Sequence, residues 1–189
     1  MRLEIRIAGL GGHGILLMGR LIGVAATVFE GIDAVLTTTY SPEQRGGWSA
    51  AHLVVSDEPI AYHVVTHPDI FVVTLNSMYY RWVDSVKEGG IVIYESDLVK
   101  ELDRSKCKNC KFFGVQAFKM AEEYIGNRRP ANILMLGVLS TFIPIIKPES
   151  FIEAIKSYVK AKYVDMNVKA FKIGREYAEK NLAPRMEGV

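Results

Sequence analysis

The spacing of apolar residues changes along the chain, and the change separates predicted strands from predicted helices. Leu3, Ile5 and Ile7 alternate with charged residues, which predicts a strand entering a sheet. Over residues 14–31 the apolar positions recur every three or four residues, which predicts a helix. Residues 69–75 contain the continuous apolar run 70–73, as expected for a strand that is covered on both faces.

The same patterns extend over the rest of the chain and define its fold class. They predict further strands at 33–40, 47–60, 90–96 and 110–118. They predict further helices at 77–90, 117–125, 131–143, 148–160 and 165–181. Because strands alternate with helices, we expect an α/β fold with three layers, in which a mostly parallel sheet carries helices on both faces. We expect a single domain over residues 1–181 and a C-terminal tail at 182–189.

Charge and hydropathy exclude two classes of partner. The chain of 189 residues has 23 basic and 21 acidic residues, a balance that lacks the excess of positive charge expected of a nucleic-acid binder. The uncharged run 131–146 is shorter than the roughly 20 apolar residues of a membrane span. We therefore expect a buried helix or a subunit contact there. No signal peptide precedes the first strand, so we expect a cytoplasmic protein.

Cys107 and Cys110 are the only cysteines and have the C-x-x-C spacing. A structural zinc site or an iron–sulfur cluster takes about four ligands, and all four histidines lie far away in the first third of the chain. We expect a polar loop with reduced thiols, because a disulfide is unusual in a cytosolic protein. A redox couple and half of a shared metal site remain alternatives.

A glycine-rich turn follows the first strand. Gly9, Gly11 and Gly14 fit G-x-G-x-x-G, a pattern that brings the N-terminus of a helix up to an anion. A dinucleotide site also requires an acidic residue at the end of the second strand, but Asp33 lies at the start of that strand. Three interpretations stay open: NAD or FAD, another anion or a packed partner, and a turn without a ligand. We expect His13 to act by hydrogen bonding, with catalysis as the less favoured alternative.

A second unusual segment begins at the end of the second predicted strand, where open α/β sheets place their sites. Tyr40 opens this loop, and Gly46 and Gly47 let the backbone turn after Arg45. The Arg45 guanidinium could bind a carboxylate or phosphate, or could pair with Glu43 inside the loop. Because both segments follow strands at their carboxyl ends, we expect the glycine turn to lie beside this loop.

Five motifs in order carry a resemblance to a known family. They are GLGGHG at 9–14, YSPEQRGG at 40–47, VVSDEPI at 54–60, PDIFVVTLN at 68–76 and RRPANILMLGVLS at 128–140. Together they resemble the γ subunit of 2-oxoacid:ferredoxin oxidoreductases, most of all its 2-oxoglutarate (KorC-like) branch, over about residues 3–158. Three positions depart from the family pattern: His13 replaces a glutamine, Ser41 a glycine and Gln44 a small residue. These departures blur the choice between 2-oxoglutarate and branched 2-oxoacids.

The resemblance implies a fold like domain III of pyruvate:ferredoxin oxidoreductase and a place in an enzyme complex. Such complexes convert a 2-oxoacid to acyl-CoA, CO₂ and reduced ferredoxin. The α and β subunits would hold thiamine diphosphate and Mg²⁺, and β or a ferredoxin-like δ subunit would hold the iron–sulfur clusters. This chain would bind no cofactor or metal of its own, would have no catalytic residue, and would meet ferredoxin only indirectly. The alternative is a stand-alone NAD(P)- or FAD-binding oxidoreductase.

The resemblance also suggests what the two glycine-containing segments do. They would contact the CoA side of the complex or a neighbouring subunit, and would help complete a CoA or substrate channel. The candidate binding residues are Gly11, Gly12, His13, Tyr40, Arg45, Gly46 and Gly47. A subunit separated from its partners should expose apolar surface, for which Trp48, Phe142 and Ile143 are candidates, and could form a homodimer.

Overall fold

A computed structural model describes residues 1–43 and 46–182. Its centre is a six-stranded sheet in the order β2-β3-β1-β4-β5-β6. The strands are β1 (Arg2–Leu10), β2 (Asp33–Tyr40), β3 (Trp48–Ser56), β4 (Ile70–Val73), β5 (Ile91–Glu95) and β6 (Lys111–Val115). The α-helices are α1 (Ile15–Val24), α2 (Asn76–Trp82), α3 (Ala117–Ile125), α4 (Ala131–Ser140), α5 (Pro148–Tyr158) and α6 (Val164–Asn181).

Short helical turns extend or connect these elements. A π-helical turn at Ala25–Glu30 continues α1, and a 3₁₀ turn at Val83–Ser85 continues α2. Two more 3₁₀ turns lie at Arg104–Lys106 and Ala161–Tyr163. The helix predicted at 14–31 is therefore present and ends in a π-helical turn. The helix predicted at 77–90 is present but ends in a 3₁₀ turn at Ser85, earlier than predicted.

The sheet is mostly parallel, as expected, with one reversed strand in the part of the chain that the structure describes. β1 runs parallel to β4, β4 to β5 and β5 to β6. β3 is antiparallel to both of its neighbours, β1 and β2. β3 also ends at Ser56, earlier than predicted. Because β3 returns between β1 and β2, the carboxyl ends of β1 and β2 lie at the same edge of the sheet.

Helices cover both faces of the sheet, which confirms the three-layer prediction. In β1, Ile5 and Ile7 face a large core formed with α1, α3, α4, α5 and α6. Ala8 belongs to a smaller core on the other face, formed with α2 and the segments that follow it. The alternation of side chains along a strand thus divides the apolar residues between two cores.

The long uncharged run begins with a buried helix, α4, which confirms the first of the two alternatives, a buried helix or a subunit contact. Every residue of α4 is buried except Asn132, and α4 packs along α6. At Gly174 in α6, a Cβ atom would lie 1.9 Å from the Leu134 carbonyl oxygen. At Gly137 in α4, a Cβ atom would lie 2.1 Å from the Phe171 carbonyl oxygen. The two helix backbones therefore touch directly, and neither glycine leaves room for a side chain.

The prediction that Phe142 and Ile143 are exposed was wrong. The helix ends at Ser140, and tight turns then fold both residues back into the large core, where they are 9% and 0% exposed. Trp48 is half-buried against Trp82. An apolar run without a polar face does not indicate which of its residues reach the surface. The burial of Phe142 and Ile143 depends instead on the direction that the chain takes after α4.

The expectation of reduced thiols was also wrong, because Cys107 and Cys110 form a disulfide. A tight turn joins them, with the Cys110 N–H bonded to the Cys107 carbonyl and Asn109 at φ 56°. This turn brings the two Cα atoms to 5.5 Å, within disulfide range. Of the predicted tail, Leu182 packs in the large core, and 183–189 lie outside the described residues.

Candidate functional site

The glycine turn joins the end of β1 to the start of α1. Gly14 has φ 70° and precedes the first residue of α1, with no side chain capping the helix. A Cβ atom there would lie 2.2 Å from the Asn132 side-chain nitrogen, so both conformation and space require glycine. The first turn of α1 has no acidic residue. The positive end of the helix dipole therefore meets no carboxylate from its own first turn.

A backbone hydrogen bond joins the glycine turn to the second segment. The Gly11 N–H donates to the Gly47 carbonyl at 2.7 Å. The Ser41 N–H donates to the Trp48 carbonyl, and the Ser41 hydroxyl accepts from the Trp48 N–H at 3.1 Å. Ser41, one of the departures from the family pattern, thus closes the loop. The structure brings the two predicted segments together at the same edge of the sheet.

The remaining predicted residues of that loop differ in their placement. Tyr40 is 66% exposed at the end of β2. Gly46 is exposed with φ 71°, as a turn glycine should be. Arg45, together with the expected contact between it and Glu43, lies outside the described residues.

His13 is held by two contacts beside the turn. Its Nδ1 lies 3.0 Å from the Thr74 hydroxyl, and its ring meets the edge of Phe118 with centroids 5.2 Å apart. Burial lowers the pKa of His13 below its ordinary value, so the imidazole is neutral at pH 7. A neutral imidazole can both donate and accept a hydrogen bond, which agrees with the expected hydrogen-bonding role.

A cavity of about 590 Å³ opens next to His13, between the start of α1 and the helices of the large core. It lies at the carboxyl end of β1. The chain goes from β1 to β2 and β3 on one side of that strand, and then returns to form β4 on its other side. In open α/β sheets such a switch point is the usual place for a ligand. The cavity is lined by Gly12, His13, Gly14, Leu17, Phe118, Arg128, Arg129, Pro130, Asn132, Val159, Tyr163, Met166 and Asn167.

Two arginines give the cavity its charge, and both were missed as site residues from the sequence. Arg128 stacks over Phe118 at 5.6 Å and pairs with Glu122 at 3.6 Å. The Arg129 side chain is exposed and forms no ion pair with any described residue. Both stand just before Pro130 and α4, in the motif RRPANILMLGVLS, whose sequence gives no sign that its arginines border a cavity. Guanidinium groups next to a helix N-terminus suit a phosphate-bearing ligand.

Glu95 was also missed and shapes the cavity wall indirectly. It is fully buried at the end of β5 and accepts a hydrogen bond from the Ala117 N–H at 2.8 Å. Burial raises the pKa of Glu95 to about 7, against the opposite effect of its backbone hydrogen bonds. This carboxyl group caps α3 and so fixes Phe118, which borders the cavity.

The described residues contain no group of side chains that could hold a metal, and β2 does not end in the acidic residue that a dinucleotide site requires. No cluster of three or more histidine, cysteine or acidic side chains is present in residues 1–43 and 46–182. Asp33 lies at the start of β2, at the far edge of the sheet from the glycine turn, so it cannot reach a ribose there. In the same ranges no helix is long and apolar enough to cross a membrane.

The fold and site define an α/β domain with a cationic cavity at the switch point of its sheet. This chain belongs to the pyruvate ferredoxin/flavodoxin oxidoreductase family, whose sequence profile matches residues 4–177. It is 40% identical to the 2-oxoglutarate synthase subunit KorC of Methanothermobacter marburgensis, over 93% of this chain and 96% of that one. The comparisons lend no support to a stand-alone NAD(P)- or FAD-dependent oxidoreductase.

Solved structures agree with this assignment. The γ subunit of a keto/oxoacid ferredoxin oxidoreductase from Geobacter sulfurreducens superposes with a TM-score of 0.81 at 30% identity, covering 94% of this chain and 98% of that one. The 2-oxoglutarate:ferredoxin oxidoreductase of Magnetococcus marinus, solved with 2-oxoglutarate, coenzyme A and succinyl-CoA, shares the fold. Its TM-score is 0.83 at 22% identity, and the match covers 94% of this chain and 31% of that larger one.

Proposed function

We propose that this chain is the γ subunit of a cytoplasmic 2-oxoacid:ferredoxin oxidoreductase that oxidises 2-oxoglutarate with CoA. The family membership and the 40% identity to a 2-oxoglutarate synthase subunit support this proposal. Its partners would be α and β subunits, with a ferredoxin-like δ subunit in some assemblies. Thiamine diphosphate, Mg²⁺ and the iron–sulfur clusters would reside on those partners, because the described residues offer no metal site and both cysteines are paired.

The role of this chain would be to complete the assembly and to face the CoA side. The cationic cavity beside Gly12, His13 and Gly14 carries this part of the proposal. CoA has a phosphate-rich end, and the start of α1 together with Arg128 and Arg129 offers donors for it. The loop around Tyr40 and Gly47, one hydrogen bond away, would be the surface that meets a neighbouring subunit.

Replacing Arg129 in the assembled complex tests the CoA role. We expect Arg129→Ala to raise the Michaelis constant for CoA by about tenfold, since a charge-assisted contact is worth roughly 1.5 kcal/mol. The turnover number should stay unchanged, as should the Michaelis constant for 2-oxoglutarate. The assay follows CoA-dependent dye or ferredoxin reduction by complexes reconstituted with α and β subunits.

Arg20→Ala is the matched control, because the Arg20 side chain is exposed, donates to the Tyr158 hydroxyl and does not line the cavity. Its CoA constant should equal that of the unmodified complex. An unchanged CoA constant in both Arg129→Ala and Arg45→Ala would leave only the scaffolding role. CoA-independent decarboxylation by the chain alone would contradict the subunit assignment itself.

We also propose that the chain without its partners pairs with a second copy along β2. β2 is an edge strand, and residues 34–40 contain no charged side chain to discourage pairing. An antiparallel pair would place Asp33 opposite Tyr40 of the second copy, so like charges would not meet. The π-helical turn before β2 exposes Val28 and Phe29, which adds apolar surface nearby.

Sedimentation equilibrium tests the pairing. Thr38→Lys, on the exposed end of β2, should weaken self-association several-fold, because the added charge would lie opposite Val35 of the second copy and would lose water on pairing. Thr66→Lys, also exposed but outside the sheet, should leave association unchanged. A clean monomer at high concentration would contradict the proposal.

A further inference from the structure

The disulfide lies at the end of the molecule opposite the cavity. Cys110 directly precedes β6, and β6 runs in the same direction as β1. The start of β6 is therefore at the opposite edge of the sheet from the glycine turn, which follows the end of β1. Any chemistry of this pair is separate from the function proposed above.

The loop that carries the disulfide is held in place without it. The Tyr79 hydroxyl donates to the Asp103 carbonyl at 2.8 Å, and the Gly89 N–H donates to the Lys108 carbonyl at 3.0 Å. The Asn109 side chain donates to Glu88 at 3.0 Å. The covalent bond closes a ring of only four residues, which restricts the unfolded chain little. Breaking it should therefore leave the loop folded.

The two sulfurs differ in access. Cys107 is 4% exposed and belongs to the smaller core, whereas Cys110 is only half-buried at its border. The Cys110 sulfur lies 3.5 Å from the Lys87 carbonyl oxygen, which can accept a hydrogen bond from the thiol once the disulfide is reduced. An incoming thiolate can reach the Cys110 sulfur more readily than the Cys107 sulfur.

We propose that Cys107 and Cys110 form a thiol–disulfide exchange site whose co-reactant is a dithiol, such as a dithiol protein. One thiolate of the dithiol attacks the Cys110 sulfur, a mixed disulfide forms, and Cys107 leaves as a thiolate that takes up a proton. The second thiol of the dithiol, as its thiolate, then attacks the dithiol sulfur that is bonded to Cys110. This step closes the disulfide of the dithiol and releases Cys110 as a thiolate, which is protonated in turn. The chain gains two electrons and two protons, and the dithiol becomes a disulfide.

Alkylation of the folded chain tests the exchange. The full chain, purified under anaerobic conditions, is treated with dithiothreitol, alkylated with iodoacetamide and weighed by mass spectrometry. We expect no label before reduction and two labels after it, while the circular dichroism spectrum stays unchanged. Removal of the reductant and addition of oxidised dithiothreitol should restore the unlabelled form. The double variant Cys107→Ser/Cys110→Ser provides the blank.

Single variants test the direction of attack. In Cys107→Ser the remaining thiol is Cys110, and oxidised glutathione should modify it at least about tenfold faster than it modifies Cys107 in Cys110→Ser. Equal rates would overturn the assigned order of attack. Two free thiols that oxidised dithiothreitol does not join, or reduction that occurs only with loss of the folded spectrum, would overturn the site altogether.

Discussion

The two ends of α4 lie in contrasting surroundings. Its first turn, with Asn132 and the arginines before it, borders the cavity next to the glycine turn. The rest of the helix lies against the backbone of α6, with Gly137 and Gly174 at the points of contact. One continuous motif, RRPANILMLG, thus contains a ligand-facing part and a packing part. Within one motif, residues a few positions apart are therefore constrained by different things: some by the cavity that they border, others by close packing against α6.

The largest expected effect lies in the packing part. Gly174→Ala places a methyl group 1.9 Å from the Leu134 carbonyl oxygen, so α4 and α6 must separate. We expect the free energy of unfolding to fall by about 3 kcal/mol, measured by urea denaturation. Gly23→Ala in α1, where a Cβ atom would meet nothing within 4 Å, should be neutral or stabilising. Equal losses in the two variants would refute the close-contact explanation.

A smaller effect is expected at the ligand-facing part. Gly14→Ala combines a left-handed backbone with a clash against the Asn132 side chain, and should cost about 2 kcal/mol. Gly31→Ala, at φ 69° with open space around it, should show the backbone penalty alone. If Gly31→Ala is as costly as Gly14→Ala, the Asn132 contact is irrelevant to stability. Gly14→Ala should in addition raise the Michaelis constant for CoA in the complex. The folded fraction of Gly174→Ala should leave that constant unchanged.

The smallest effect concerns pH and involves the cavity only. The pKa of His13 is lowered in the folded chain by burial, so the unfolded chain binds the proton first as pH falls. The stability that neutral His13 contributes is present above about pH 6.5 and is lost as pH falls through its lowered pKa. His13→Gln, which keeps a hydrogen-bonding side chain, should flatten this loss in urea denaturation between neutral and mildly acidic pH.

His52 provides the control for that measurement. Burial, together with Arg6 at 3.1 Å, lowers the pKa of His52 to about 4, so it adds an acid-dependent loss of its own. That loss persists in His13→Gln, and the difference between the two proteins isolates His13. An identical pH profile for both would show that His13 is equally solvated in the folded and unfolded chain.

The fold was largely predictable because its cause is local. Alternation over Leu3–Ile7 and the three-to-four spacing in α1 follow directly from which side chains must be buried. The reversal of β3 was not predictable, since alternation looks the same in either chain direction. The burial of Phe142 depends on the turns after α4, which the apolar run does not encode.

The site was only partly predictable. Gly11, Gly14 and Gly47 stood out because glycine marks unusual backbone, and the structure brings their segments together. Arg129 did not stand out, because a pair of arginines before a proline is typical of any surface loop. What distinguishes Arg129 is the nearby start of α1, more than 100 positions earlier in the chain. The disulfide was equally hidden, because C-x-x-C spacing fits three chemical states.

The hydrogen bond from Gly11 to Gly47 has a mechanical consequence. Because β3 doubles back beside β1, the hairpin tip that carries exposed Tyr40 is tethered to the peptide that immediately precedes the cavity rim. A protein that binds this tip and displaces it by about an ångström must either move Gly11 with it or break the hydrogen bond between Gly11 and Gly47. Docking at the outer corner of the sheet would in this way be transmitted to the opening through which a ligand enters.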